Sequence, residues 1–186
     1  DGPSVALEGD AIELFARVRD PMGGEVVIAW DLDDDGRFEE RVGERSARIP
    51  RGQTDGPSTL MIRAHVEGSG GISVVSRIIP ILNGDPVFHA SPPRVFHENE
   101  LSRYTFNARD PAGDRDTLRF EWVSGPRGVE VDEEGHFSWS PTHAQVTRNG
   151  EVAHFSIRVF DEDGASAEMR WTAEVSANRP PPPPTI

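Results

Sequence analysis

Apolar residues recur at every second position along most of this chain, and that period decides which secondary structure can bury them. Leu14, Ala16 and Val18 alternate with Phe15, Arg17 and Arg19. Phe155, Ile157 and Val159 alternate with Ser156 and Arg158. Met169, Trp171, Ala173 and Val175 alternate with Arg170, Thr172 and Glu174. Side chains on a strand point to opposite faces in turn, so these segments read as half-buried strands. Val26–Trp30 is a continuous, mostly β-branched run, which predicts a central strand covered on both faces. Turn clusters separate the runs: Asp20-Pro21-Met22-Gly23-Gly24, Thr54-Asp55-Gly56-Pro57, Gly68-Ser69-Gly70-Gly71, Asn83-Gly84-Asp85-Pro86 and Asp161-Glu162-Asp163-Gly164. Proline fixes φ and glycine frees it, so the chain reverses there. No segment has the 3.6-residue period of an amphipathic helix. The expectation is an all-β protein built as sandwiches.

The pattern also repeats. Phe15, Arg19-Asp20-Pro21 and Trp30 are echoed by Phe106, Arg109-Asp110-Pro111 and Trp122. A length of 186 residues suits two small domains better than one. The boundary is expected near Asn83–Val87, giving a first sandwich over 1–83, a second over 84–178, and a tail over 179–186. Pro180–Pro184 in that tail is expected to form a polyproline II spacer. The start without methionine and the proline-rich end read as a piece of a longer secreted, multidomain chain.

The formal net charge is −13 and there is no lysine; all 19 basic residues are arginine. Such a balance disfavours nucleic acid, whose phosphates need cationic neutralisation. It disfavours anionic membrane surfaces equally. No apolar run approaches the roughly 20 residues of a membrane span, so no direct membrane insertion is expected. It favours attraction of cations. With no cysteine, disulfides, cysteine-bound zinc and thiol nucleophiles are all ruled out.

The strongest candidate for chemistry is Asp31-Leu32-Asp33-Asp34-Asp35-Gly36. Carboxylates at i, i+2 and i+4 before a glycine match the first half of a calcium loop. The twelfth position is Val42, not glutamate, and a strand precedes the loop, so a helix–loop–helix hand is excluded. Glu39 or Glu40 is placed to close a site with Asp31, Asp33 and Asp35. The bland alternative is a solvated acidic turn. A second set comprises Asp110, Asp114 and Asp116 in one turn and Asp161 and Asp163 in another. Trp30, Trp122, Trp139 and Trp171 read as core residues rather than a sugar-stacking platform. His97-Glu98-Asn99-Glu100 lacks the second histidine of a zinc-protease signature. Gly68-Ser69-Gly70-Gly71 lacks the context of a nucleophile elbow. No catalytic residues are expected.

Val5, Glu8-Gly9-Asp10, Arg19-Asp20-Pro21 and Trp30–Glu39, with Ile49-Pro50, Gly52-Gln53-Thr54 and Thr59–Val66, resemble the polycystic-kidney-disease (PKD) domain. Arg109–Asp114, Phe120-Glu121-Trp122, Gly135–Thr142, Ala153–Phe160 and Asp161–Gly164 resemble bacterial cadherin-like and immunoglobulin-like modules. The resemblance implies two tandem seven-stranded, immunoglobulin-like sandwiches, often calcium-binding. In such a sandwich the turns carrying Asp110, Asp114, Asp116, Asp161 and Asp163 lie at one end of the module. The implied role is a non-catalytic, calcium-stabilised structural or adhesion module at a bacterial surface, contacting protein or polysaccharide outside the cell. An accessory carbohydrate- or protein-binding module of a secreted hydrolase is the alternative. The linker Asn83-Gly84-Asp85-Pro86 lacks the fuller acidic motif of animal cadherin linkers.

Overall fold

The computed structural model describes residues 1–38, 45–148 and 151–178. Glu39, Glu40 and the proline segment 179–186 lie outside the described residues. The chain divides into two compact units: Asp1–Gly84 with Pro111–Arg115, and Asp85–Asp110 with Asp116–Ile186.

The first unit contains β1 (Ala6–Leu7), β2 (Ile12–Phe15), β3 (Val27–Asp31), β4 (Ser46–Ile49), β5 (Ser58–Gly68) and β6 (Gly71–Leu82). One sheet has the order β1-β6-β5-β3, and β2 pairs with β4 in a second. Two faces close on a single core. Ile12, Leu14, Ala47 and Ile49 come from the smaller sheet. Ile28, Trp30, Ile62, Ala64, Ile79 and Ile81 come from the larger. Fully burying each aliphatic side chain contributes about 1.5–3 kcal/mol, and this holds the sheets face to face. Alternation on β2 is strict: Ile12 and Leu14 point in, Glu13 and Phe15 point out.

β3 corrects one expectation. Ile28 to Asp31 are buried on both faces, but Val27 is exposed and the strand sits at the sheet's end. Continuous apolar sequence marks coverage, and here it does not mark a central place in the sheet. The ring of Phe38, 5.5 Å from that of His65, lies by the β5 residue paired with Ala29.

The second unit contains β7 (Val87–Phe88), β8 (Val95–His97), β9 (Ser102–Thr105), β10 (Ala108–Arg109), β11 (Arg119–Ser124), β12 (Glu130–Val131), β13 (His136–Trp139), β14 (Ala153–Phe160) and β15 (Ser166–Ser176). Its main sheet runs β11-β14-β15-β8, and β12-β13-β9 faces it. β7 pairs with β10. The core is aromatic: Phe96, Phe106, Phe137, Trp139, Phe155 and Trp171 are buried in one cluster. Phe155 and Trp171 stack at 4.8 Å, and Trp139 meets Phe96 edge-on at 4.9 Å. Trp122 is half-buried against the same cluster, 6.3 Å from Trp171.

In each unit a short early strand pairs parallel to the last long one: β1 with β6 (Ala6 opposite Ile81), and β8 with β15 (Val175 opposite Phe96). This shared pairing closes each sandwich in the immunoglobulin-like manner. Among the described residues the first unit has six strands, and the only helices are the 3-10 turns Gly113–Arg115 and His143–Gln145. One sequence equivalence fails: Phe106 is buried, but Phe15 is exposed. Buried Leu14 is the better counterpart of Phe106, because that offset, 106 − 14 = 92, equals the one between the tryptophans, 122 − 30 = 92.

Candidate metal-binding loops

Asp31 ends β3 inside the sandwich, fully buried. Beyond it the chain curls tightly. Asp34 has φ 62° and Gly36 has φ 84°, left-handed values that aspartate tolerates and glycine adopts freely. Gly36 N–H donates to Asp31 Oδ2 at 3.2 Å, closing the loop. Asp35 N–H donates to Asp33 Oδ1 at 3.3 Å, and Arg37 N–H donates to Asp35 Oδ1 at 2.8 Å. Asp31, Asp33 and Asp35 thereby each offer an oxygen within 4.8 Å of the others.

Asp31 Oδ1 is buried and accepts no hydrogen bond. Leaving a carboxylate oxygen dry and unpaired costs free energy that a cation would recover. All three ligand candidates are hard oxygens, the donor type that suits calcium or magnesium.

The sequence gives no hint of Arg63. It lies directly opposite Asp31 in the β3–β5 ladder. Its guanidinium stands 3.5 Å from Asp31 Oδ2 and 2.6 Å from Asp34 Oδ1. Arg63 engages Asp31 Oδ2 and Asp34 Oδ1, and Arg37 Nε stands 3.8 Å from Asp35 Oδ2; Asp31 Oδ1 has no hydrogen-bond partner. Two arginines, Arg63 and Arg37, therefore already offset part of the acidic cluster.

In the second unit, Asp110 and Asp116 are buried and offer oxygens within 4.8 Å of each other; Asp116 and exposed Asp163 do the same. Asp161 is buried too, but its Oδ1 accepts the Ala165 N–H at 2.8 Å across its own turn, a local structural role. Asp114 lies exposed in the Gly113–Arg115 turn and joins no group of three possible ligands among the described residues.

Two polar constellations were not singled out from the sequence. Asp132, Glu134 and His136 gather at the exposed β12–β13 turn, where His136 Nδ1 lies 2.8 Å from Asp132 Oδ2. The His136 backbone N–H, followed by its ring, holds the Asp132 carboxyl below its ordinary range. On β15, Glu168 accepts from Arg170 at 2.8 Å, from Ser156 at 2.5 Å and from Arg158 at 3.2 Å. Arg170 first, then Ser156 and Arg158, push its carboxyl down to about 2.

Asp20, from the repeated Arg-Asp-Pro motif, is a brace. It accepts from the Ser69 hydroxyl, the Ser69 N–H and the Met22 N–H. The same bonds, Ser69's hydroxyl foremost, hold its carboxyl low. Asp20 thus supplies the acid that the Gly68–Gly71 turn itself lacks.

Grooves run over both units among the described residues. One of about 550 Å³ runs beside β9 and β13 past Arg103, Tyr104 and His136. Another of about 460 Å³ is lined by Phe15, Val18, Trp30, Val66, Val75 and Arg77. Ser176 Oγ lies 2.7 Å from His97 Nδ1. No helix among the described residues is long and apolar enough to cross a membrane.

No protein-family model matches the chain, and no curated protein sequence does. Solved structures do align over most of its length. Hemolin, an insect immune protein whose arrangement is described as bearing on homophilic adhesion, aligns over 94% of this chain and 44% of its own, at 13% identity and TM-score 0.49. Human protocadherin-24 EC1-2 aligns over 95% and 94%, at 10% identity and TM-score 0.42. An endo-fucoidan hydrolase of glycoside hydrolase family 107 aligns over 95% of this chain, at 16% identity and TM-score 0.42, and this chain spans only 27% of it. The sandwich architecture itself rests on the strand pairing and the two cores.

Proposed function

We propose that this chain is a non-catalytic structural or adhesion module of an extracellular protein, stabilised by calcium at the end of β3. The observation that carries this reading is the fully buried Asp31 carboxylate, its Oδ1 without a hydrogen bond, in one cluster with Asp33 and Asp35. Asp31, Asp33 and Asp35 would hold the ion. Calcium takes about six to eight oxygens, so these carboxylates supply its charged part. The bound ion supplies no reaction; it neutralises the carboxylates and fixes the loop. Asp110, Asp116 and Asp163 are the candidates in the second unit.

The grooves favour a module that holds over one that reacts. The perturbed acids that line grooves, Asp132 and Glu168, are both held low by hydrogen bonds and so stay ionised, which suits bracing better than proton donation. Trp139 and Trp171 are buried in the core, Trp122 packs against it, and Trp30 is buried although it lines a groove beside exposed Phe15. The partner is a protein or polysaccharide at a cell surface.

Calorimetric titration with calcium chloride tests the reading on the whole chain. Wild type is expected to bind with a heat that Asp33→Asn weakens about tenfold or more, Asp33 being exposed enough to change without unfolding the unit. Absence of a binding heat in wild type, or equal binding by the variant, would remove calcium from this loop.

A further inference from the structure

Strand β6 has an edge that its own sheet leaves largely open. Register along β5–β6 is unbroken from Ser58 opposite Ile81 to Gly68 opposite Gly71. β1 occupies the outer side only at Ile81 and Leu82. Glu8 N–H donates to Leu82 O there, so the even-numbered residues of β6 turn their backbone groups outward. Pro80, without an N–H, ends that paired stretch. From Gly71 to Ile79 no strand among the described residues covers the edge, which leaves the backbone groups of Ile72, Val74, Ser76 and Ile78 free of ladder partners.

Exposed edges normally carry a charge, a proline or a bulge against pairing. This one has none from Gly71 to Ser76; the charge that follows, Arg77, donates to the Gly2 and Pro3 carbonyls at 2.8 Å each, and Ile72, Val74, Val75 and Ile78 are all more than half exposed. We infer that this edge pairs antiparallel with the same edge of a second copy, around a two-fold axis at Val75. That register is self-complementary. Ile72 meets Ile78 of the second copy, Val74 meets Ser76, and Ser73 meets Arg77, each twice, with Val75 against its own copy. Ile72 faces Ile78 on the outer surface, no like charges are opposed, and the outward backbone groups of Ile72, Val74, Ser76 and Ile78 find partners. Registers centred between residues would oppose side chains on different faces and are excluded by the period of two. A register centred on Val74 places Ile78 against Gly70 and loses its apolar partner.

The interface is a single strand pair, far below the ~800 Å² per partner of stable complexes. Association is therefore weak and reversible. Each copy carries a net charge of −13, so added salt strengthens the pair by screening. This inference does not depend on calcium.

Because the chain has no cysteine, the register can be read directly. Val75 turns its backbone groups toward β5, so across the axis it forms a non-hydrogen-bonded pair, with Cα atoms about 4.5 Å apart and within disulfide reach. Under mild oxidation, Val75→Cys is expected to give a disulfide-linked dimer at least tenfold faster than Ser73→Cys or Ile78→Cys. Sedimentation equilibrium from about 10 μM to about 1 mM is expected to detect wild-type dimers that increase with salt. Val75→Lys, at an exposed position, should abolish them while its circular dichroism and melting stay unchanged. A monomer at every concentration, or equal crosslinking at all three cysteine positions, would overturn the inference.

Discussion

Replacing Arg63 with methionine separates the two cations that the Asp31 loop invites. The variant keeps most of the apolar stem and removes the guanidinium that stands 3.5 Å from Asp31 and 2.6 Å from Asp34. Asp31 is fully buried, whereas Arg63 is about one-third exposed. Breaking a fully buried pair costs about 3–5 kcal/mol. Solvent at the arginine end and the long contact reduce that to about 1–3 kcal/mol. For a domain of this size, each kcal/mol moves the midpoint by about 4–8 °C, so the expected fall in chelator is roughly 5–20 °C. Differential scanning calorimetry on the whole chain reads it, and hydrogen exchange over β3 and β5 assigns the transition to the first unit. In excess calcium the gap between variant and wild type should narrow, because the bound ion takes over the compensation of Asp31. The variant should also bind calcium more tightly, having lost a competing positive charge. An unchanged midpoint in chelator would refute the role of Arg63. A gap that is the same with and without calcium would refute the sharing of Asp31 between the two cations.

Trp139, buried against Phe96 and Phe155, should cost about 3–5 kcal/mol when changed to alanine, enough to unfold much of the second unit in mild urea while amide protection in β2–β6 persists. Glu168 makes a pH prediction. Its carboxyl is depressed from 4.5 to about 2 in the fold, so its contribution to stability is full above about 4.5 and is lost as pH falls through 2. Glu168→Gln should therefore melt below wild type at neutral pH, and the two curves should converge as pH falls from about 4.5 to about 2.

Much of the fold was legible because a period of two is a direct record of which side chains face the core. Leu14, Phe155, Ile157, Val159, Trp171, Ala173 and Val175 are all buried as their alternation requires, while Ala16, Val18 and Met169 are only partly so and Ser156, on the alternate face, is buried too. The place of β3 at a sheet's end was not legible, since burial comes from both layers and loops and does not encode strand order. The echo of Phe15 in Phe106 misled for a related reason: a one-residue slip turns a side chain to the opposite face. In the loop, the spacing of Asp31, Asp33 and Asp35 foretold their convergence. Arg63 could not be foreseen, because it meets Asp31 only through a cross-strand register set by the whole β5–β6 hairpin. Asp161 looks identical to Asp163 in sequence, yet its carboxylate closes its own turn, a choice made by local geometry.

Paired calorimetric melts, one in excess calcium and one in chelator, weigh the central claim most directly. At free calcium about a hundredfold above its dissociation constant, mass action adds about 2.7 kcal/mol to the native state. The transition assigned to β3 and β5 should then rise by about 10–20 °C. Superimposable traces would contradict the claim that a divalent ion completes the buried Asp31 loop.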